Sequence, residues 1–170
     1  MNSEYLTESG FISKEGLSML RDMVSKGKNI VISGTVGSGK TTLVKALIEQ
    51  VEGKVQVYSK FDESYSNIGG NVETVEIEQD GNILMQREME DADVIVMDDL
   101  GSIGNLKEAM HIMLNKNGCI LTLLEKNLYS THKLIEQLIG SEKKESDYID
   151  AIVTLKNSMG NREVELIAFL

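Results

Sequence analysis

Three glycines, three threonines and a lysine crowd into nine positions of the sequence, Gly34-Thr35-Val36-Gly37-Ser38-Gly39-Lys40-Thr41-Thr42. Glycines at this spacing let the backbone curl so that successive N–H groups converge on one phosphate. Lys40 has the reach to pair with β- and γ-phosphates, and the Thr41 hydroxyl is a ligand for Mg²⁺. The stretch satisfies G-x-x-x-x-G-K-[ST] in full, and it stands between an apolar run (29–33, NIVIS) and a segment of helical spacing, as that motif requires. The helix also directs the positive end of its dipole at the anion. All nine residues are candidate nucleotide contacts, with Lys40 a catalytic cation and Thr41 a metal ligand as well.

A phosphate cradle needs an acidic element to hold the metal and direct water. Asp98 and Asp99 follow the apolar run 94–97 (VIVM), where Walker B carboxylates are found. Asp98 is expected to hold Mg²⁺ through water, and Asp99 to orient or deprotonate the attacking water. Glu125, after the apolar run 119–124, is a candidate sensor of the γ-phosphate or its water, with a helix-capping or loop role as the alternative. Two other nucleotide readings fail. Asp98-Asp99-Leu100-Gly101 satisfies the D-x-x-G of GTP-binding proteins and Asn115-Lys116 the start of their guanine reader, but position 118 is Gly118 rather than a carboxylate. A small-molecule kinase clusters arginines on its phosphates, and this chain has only Arg21, Arg87 and Arg162, widely dispersed.

These residues need strands and helices to position them. Ser13 is expected to cap a helix bearing Leu17, Leu20, Met23 and Val24, ended by Gly27. Buried-type strands are read at 29–33, 94–97 and 119–124, and further strands at 55–58 and 72–77. Helices follow from the stripe Leu43, Val44, Leu47, Ile48, from a weak stripe at 82–89, and from Leu106, Ala109, Met110, Met113 and Leu114. Ser130 is expected to cap the last one, which carries Leu134, Ile135, Leu138 and Ile139. Segments 148–155 and 162–169 read as a closing hairpin. Alternation of this kind predicts an α/β fold with a mostly parallel central sheet flanked by helices and a C-terminal β-hairpin, in one domain over residues 1–170.

The 170 residues carry 17 basic against 27 acidic side chains, a net charge of −10, which disfavours general attraction to nucleic acid. The single Cys119 excludes an internal disulfide and suits a reducing cytoplasm. No apolar run is long enough to span a bilayer and no secretory signal is evident. His111 and His132 have no partner motif, and the acidic run 88–93 reads as a solvated face.

The sequence resembles the ATPase domain of the type II/type IV secretion and pilus ATPase family, especially its conjugation and tight-adherence branch. The resemblance begins in Gly10-Phe11-Ile12-Ser13, runs through 27–43, and continues in 94–99, 121–123 and the hairpin. It implies a RecA-like P-loop NTPase using ATP and Mg²⁺, a hexameric ring, and partners in secretion or pilus machinery, peripheral to the membrane through those partners. It also implies an N-terminal domain that does not precede Met1, so that the chain is read as a minimal form, a segment of a longer protein, or one completed by another chain. Glu63 is the best match to the family's acidic box, Asp99 stands at its Walker B glutamate, and Asn117 and Glu125 stand where histidines are usual, while Thr122 and Asn127 match. Any of the three arginines is a candidate arginine finger. Scarcity of cations predicts a slow or partner-dependent ATPase. Two other readings follow from the same residues: a nucleotide-binding regulatory or scaffold subunit with little turnover, and a RecA-like DNA-processing ATPase.

Overall fold

The computed structural model describes residues 3–60, 65, 68–69, 71–77 and 91–170. The helix expected at 82–89, the acidic match Glu63, Arg87 and the first part of the acidic run 88–93 lie outside the described residues.

The chain runs α1 (Ser3–Glu8), α2 (Lys14–Ser25), β1 (Ile30–Gly34), α3 (Lys40–Ile48), β2 (Val55–Ser59), β3 (Val72–Glu76), β4 (Val94–Asp98), α4 (Ile103–Asn115), β5 (Cys119–Leu123), α5 (Leu128–Ile139), a 3₁₀ turn (Glu145–Asp147), β6 (Ala151–Ser158) and β7 (Asn161–Phe169). Among the described residues seven strands form one sheet in the order β3-β2-β4-β5-β1-β6-β7. Every neighbouring pair is parallel except β6 and β7, which make an antiparallel hairpin. β1, β2, β4 and β5 are buried along their whole length, as unbroken apolar runs should be when helices cover both faces of a parallel sheet.

Alternate side chains of those strands feed two cores. Ile30, Ile32, Val94, Val96 and Ile120 pack with Leu17, Leu20, Leu43 and Leu47 from α2 and α3. Val31, Ile95, Met97, Cys119 and Leu121 pack with Ala109, Met110, Met113 and Ile135 from α4 and α5. Each buried aliphatic side chain contributes roughly 1.5–3 kcal/mol relative to exposure, so the strand alternation clamps the helices to opposite faces.

Local chemistry sets the ends of the elements. Ser13 caps α2 through a bond from the Gly16 N–H, as its position before the apolar stripe predicts. At α5 the expectation is corrected. Asn127, not Ser130, is the N-cap, and Ser130 answers from the third helical position in a reciprocal capping box, because Asn127 has the extended backbone a cap requires. Leu114 is corrected too: at 42% exposed it leaves the buried stripe of α4. Leu124 is likewise exposed, so β5 stops one residue short of the apolar run. In the hairpin, Met159 and Gly160 both take positive φ between the paired Ser158 and Asn161, the backbone of a tight two-residue turn. α1 is an element that the sequence pattern did not announce.

At the edge of the sheet where β1 begins, Asn29 ties four segments together. Its amide donates to the carbonyls of Met113 (2.7 Å), Tyr148 (2.9 Å) and, more weakly, Lys116 (3.3 Å), and its oxygen accepts the Cys119 N–H at 3.0 Å. Asn115 and Lys116, the start of the guanine-reader pattern, therefore lie at the opposite end of β1 from the glycine-rich loop.

Candidate functional site

The glycine-rich loop follows β1 at the carboxyl edge of the sheet, the edge where open α/β sheets place ligands. Its last glycine, Gly39, is the N-cap of α3 with φ +99°, and no side chain caps the helix there. The N–H groups of the first helical turn have no intrahelical partner and are left for an anion. A Cβ on Gly39 would sit 2.8 Å from the ring of Phe11, so the α1–α2 connection packs directly on the loop. A Cβ on Gly34 would collide with the Ser38 hydroxyl. That hydroxyl is buried without a hydrogen-bond partner among the described residues, an orphaned donor inside the loop of the kind a phosphate oxygen would satisfy.

Lys40 folds over its own loop, donating to the Gly34 carbonyl at 2.8 Å and the Thr35 carbonyl at 3.1 Å. Burial holds its pKa below the usual lysine range, opposed by the charges of Asp98 and Asp99. From the far side, the hairpin reaches the loop: Asn157 Nδ2 donates to the Gly37 carbonyl at 3.3 Å, and Arg162 lies along the same cavity.

Sheet order explains how the aspartates reach the loop. β5 lies between β4 and β1, and because Met97 is level with Leu121 and Ile32 with Thr122, Thr122 stands between the end of β4 and the loop. Its Oγ1 donates to Asp98 Oδ1 at 2.6 Å and accepts the Asp99 N–H at 3.1 Å. Thr41 Oγ1 donates to Asp98 Oδ2 at 2.8 Å, and the Tyr65 phenol donates to the same oxygen at 2.7 Å. Asp98 is 3% exposed, and three hydroxyl donors offset the cost of burying its charge. Burial and the Asp98 charge push the Tyr65 phenol far above the ordinary range, keeping it a donor. Asp99, by contrast, is exposed, with φ +51° turning it out of the strand toward the cavity.

The result is a cavity of about 400 Å³ lined by residues 36–42 of the loop, by Asp98 to Gly101, by Leu106, by Thr122 to Leu124, and by Arg162. Thr41 and Asp98 offer hard oxygen atoms side by side, the donor chemistry Mg²⁺ prefers. A second groove of about 570 Å³ adjoins through Gly39, Thr42 and Arg162, with Tyr5 and Phe11 on its other side. Of the residues read from the sequence, Lys40, Thr41, Asp98 and Asp99 converge on the first cavity. Glu125 follows Leu124 and is half-buried, but it is not among the residues lining that space. Arg21 is turned elsewhere, donating twice to the Ala46 carbonyl near the end of α3. Sequence reasoning missed Tyr65, Asn157 and Phe11; each comes from a segment with no phosphate-site pattern of its own.

Residues 1–126 match the family described as Uncharacterised conserved protein UCP018868. The chain belongs to this family. The match takes in the glycine-rich loop, both aspartates and Glu125, and stops before α5 and the hairpin. No curated protein matches the chain by sequence. Among solved structures, the VirB11 ATPase of the Brucella suis type IV secretion system, in complex with sulphate, superposes with a TM-score of 0.73 at 18% identity, over 98% of this chain and 54% of that one. The Legionella pneumophila ATPase DotB gives 0.59 at 22% identity over 88% and 48%. The pilus retraction motor PilT with bound ADP gives 0.61 at 17% identity over 87% and 49%. The chain thus shares its mixed α/β fold with secretion and pilus ATPases and spans about half the length of those chains. Among the described residues no helix is long and apolar enough to cross a membrane.

Proposed function

We propose that this protein is a RecA-like P-loop ATPase that binds Mg·ATP at residues 34–42 and serves a secretion, conjugation or pilus-like assembly. The observation that carries the reading is the Thr41–Asp98 contact of 2.8 Å beneath a complete phosphate-binding sequence at a helix N-terminus. The secretion and pilus ATPases that share the fold, one of them holding ADP, supply the class of work.

In this reading the loop N–H groups and the open end of α3 bind the phosphate chain, and Lys40 exchanges the Gly34 and Thr35 carbonyls for phosphate oxygens. Thr41 and Asp98 hold Mg²⁺, which when bound neutralises charge on the β- and γ-phosphates. Asp99, exposed at the cavity, orients the attacking water and accepts its proton at a carboxylate oxygen. Among the described residues Arg162 is the second cationic side chain of the cavity, and it is better placed than Arg21, which is turned to Ala46, to meet developing negative charge. Glu125, half-buried beside Leu124, is retained as a γ-phosphate sensor that would have to turn toward the cavity. The groove between Phe11, Tyr5 and Arg162 leaves room for the nucleoside. A cytoplasmic homo-oligomer, hexameric by the resemblance, and membrane attachment through partners complete the proposal; nucleic acid is not favoured by the charge balance.

Purified protein should bind and slowly hydrolyse Mg·ATP, and Lys40→Ala should abolish both. Hydrolysis surviving in Lys40→Ala would overturn the assignment. One observation favours a second reading, a nucleotide-binding regulatory subunit: Lys40 and Arg162 are the only cationic side chains among the described residues lining the cavity. Single-turnover phosphate release that is lost in Asp99→Asn would reject this second reading; its absence from the unaltered protein would support it.

A further inference from the structure

Tyr65 belongs to the apolar core, not to the surface of the site. Its side chain is 1% exposed and packs in the cluster beneath α2 and α3, with Lys45 of α3 lying 5.5 Å from the ring centre. Yet its O–H emerges from that cluster onto Asp98 Oδ2. Nothing about packing requires this, because phenylalanine would fill the same space.

The donors around Asp98 have different duties. Thr41 directs its only proton to Oδ2 and also lies within hydrogen-bonding reach of the Tyr65 phenol, while its oxygen borders the cavity. The direction of that oxygen's lone pairs depends on where Oδ2 is. Thr122 fixes Oδ1 from β5, and Tyr65 fixes Oδ2 from the β2–β3 connection. Two anchors on two oxygens, from two separate elements, leave the carboxylate neither rotation nor tilt. Without the phenol, Oδ2 keeps only the bond from Thr41, the very hydroxyl it has to position.

Resting on the Mg·nucleotide reading above, we propose that Tyr65 is a positioning residue for Mg²⁺: it holds Asp98 so that Thr41 presents its oxygen to the cation, and it thereby sets how much Mg²⁺ nucleotide binding requires. Partners that orient metal-binding carboxylates are commonly worth about 10–100-fold in metal affinity. The nucleotide's own contacts, made by loop N–H groups and Lys40, do not pass through Tyr65.

The test is Tyr65→Phe, which keeps the ring and removes one hydroxyl. Binding of a fluorescent ATP analogue is titrated with Mg²⁺ and, separately, measured in EDTA. The Mg²⁺ concentration for half-maximal enhancement should rise about 10-fold, while affinity in EDTA stays within about two-fold of the unaltered protein, as expected for loop contacts that bypass the phenol. An unchanged Mg²⁺ requirement overturns the proposal, as does an equal weakening with and without Mg²⁺, which would mean general loosening of the core. If neither protein binds the analogue under any condition, the nucleotide reading falls and this one with it. A measurement on the unaltered protein is independent of how the variant folds. Adding Mg²⁺ to the nucleotide complex should give a tyrosine difference band in the near ultraviolet, and its absence also overturns the proposal.

Discussion

Thr122→Val replaces one buried hydroxyl by a methyl of nearly the same shape, and the expected loss can be worked from two bonds. The bond to Asp98 Oδ1 is 2.6 Å long and charge-assisted, a type that contributes about 1.5–3 kcal/mol. The bond accepted from the Asp99 N–H at 3.1 Å is neutral and contributes about 0.5–1.5 kcal/mol. Thr122 is 3% exposed, so water does not readily replace either, and the variant should lose about 3 kcal/mol. Thr122→Ser keeps both bonds and gives up one methyl, a cost of about 1 kcal/mol. Urea unfolding without nucleotide or Mg²⁺, followed by circular dichroism, separates the two. With a slope of about 2 kcal/mol per molar urea, the midpoint falls by about 1.5 M for valine and about 0.5 M for serine. Valine as stable as serine, or within about 0.5 kcal/mol of the unaltered protein, would refute the claim that this hydroxyl supports the aspartate pair.

Gly39→Ala places a Cβ at φ +99° and 2.8 Å from the Phe11 ring, so it should cost about 2 kcal/mol or more in thermal stability; adding Phe11→Leu should recover the steric part but not the backbone part. Asn29→Leu orphans the Met113 and Tyr148 carbonyls and the Cys119 N–H in a residue only 4% exposed, and denaturant melts should register a loss of about 3–5 kcal/mol. Burial pushes the Cys119 thiol from 9.0 up to about 12, with the Lys116 charge a lesser opposing influence. The unfolded chain therefore releases this proton first, and stability falls between pH 9 and 12, by up to about 1.4 kcal/mol per pH unit for one group. Cys119→Ala should flatten that alkaline decline, and iodoacetamide should label Cys119 only when the protein unfolds.

The parts of this molecule legible in the sequence are those whose cause is local. The loop announces itself because its glycines, Lys40 and Thr41 must be consecutive to wrap one phosphate, and the runs before Gly34, Asp98 and Leu124 are apolar because both faces of each strand are covered. Contacts made across the fold left no such trace. Asn157 reaches Gly37 across 120 positions, and Tyr65 sits in a polar stretch whose neighbours give no hint of burial. Glu125 stands out in the sequence only by its place after a strand, and a place in sequence does not say which way a side chain turns beyond the strand's end. Asn127 is a different case, since an Asn three residues before a Ser at the start of an apolar helix is a capping pattern in its own right, in which Ser130 supplies the reciprocal half.

The four-way junction at Asn29 also bears on the order in which this protein folds. Its partners Met113, Cys119 and Tyr148 lie 84, 90 and 119 residues further along the chain, so no local turn or hairpin can satisfy that amide. Its bonds close only when β1 has found β5 on one side and β6 on the other, after the entropic cost of three long loops has been met. Such a residue behaves as a keystone set late: weakening it should leave the refolding rate nearly unchanged and express its loss as faster unfolding. The lifetime of the native sheet, and with it the time for which the distant phosphate loop stays assembled, should thus depend on bonds at the opposite end of β1 from that loop.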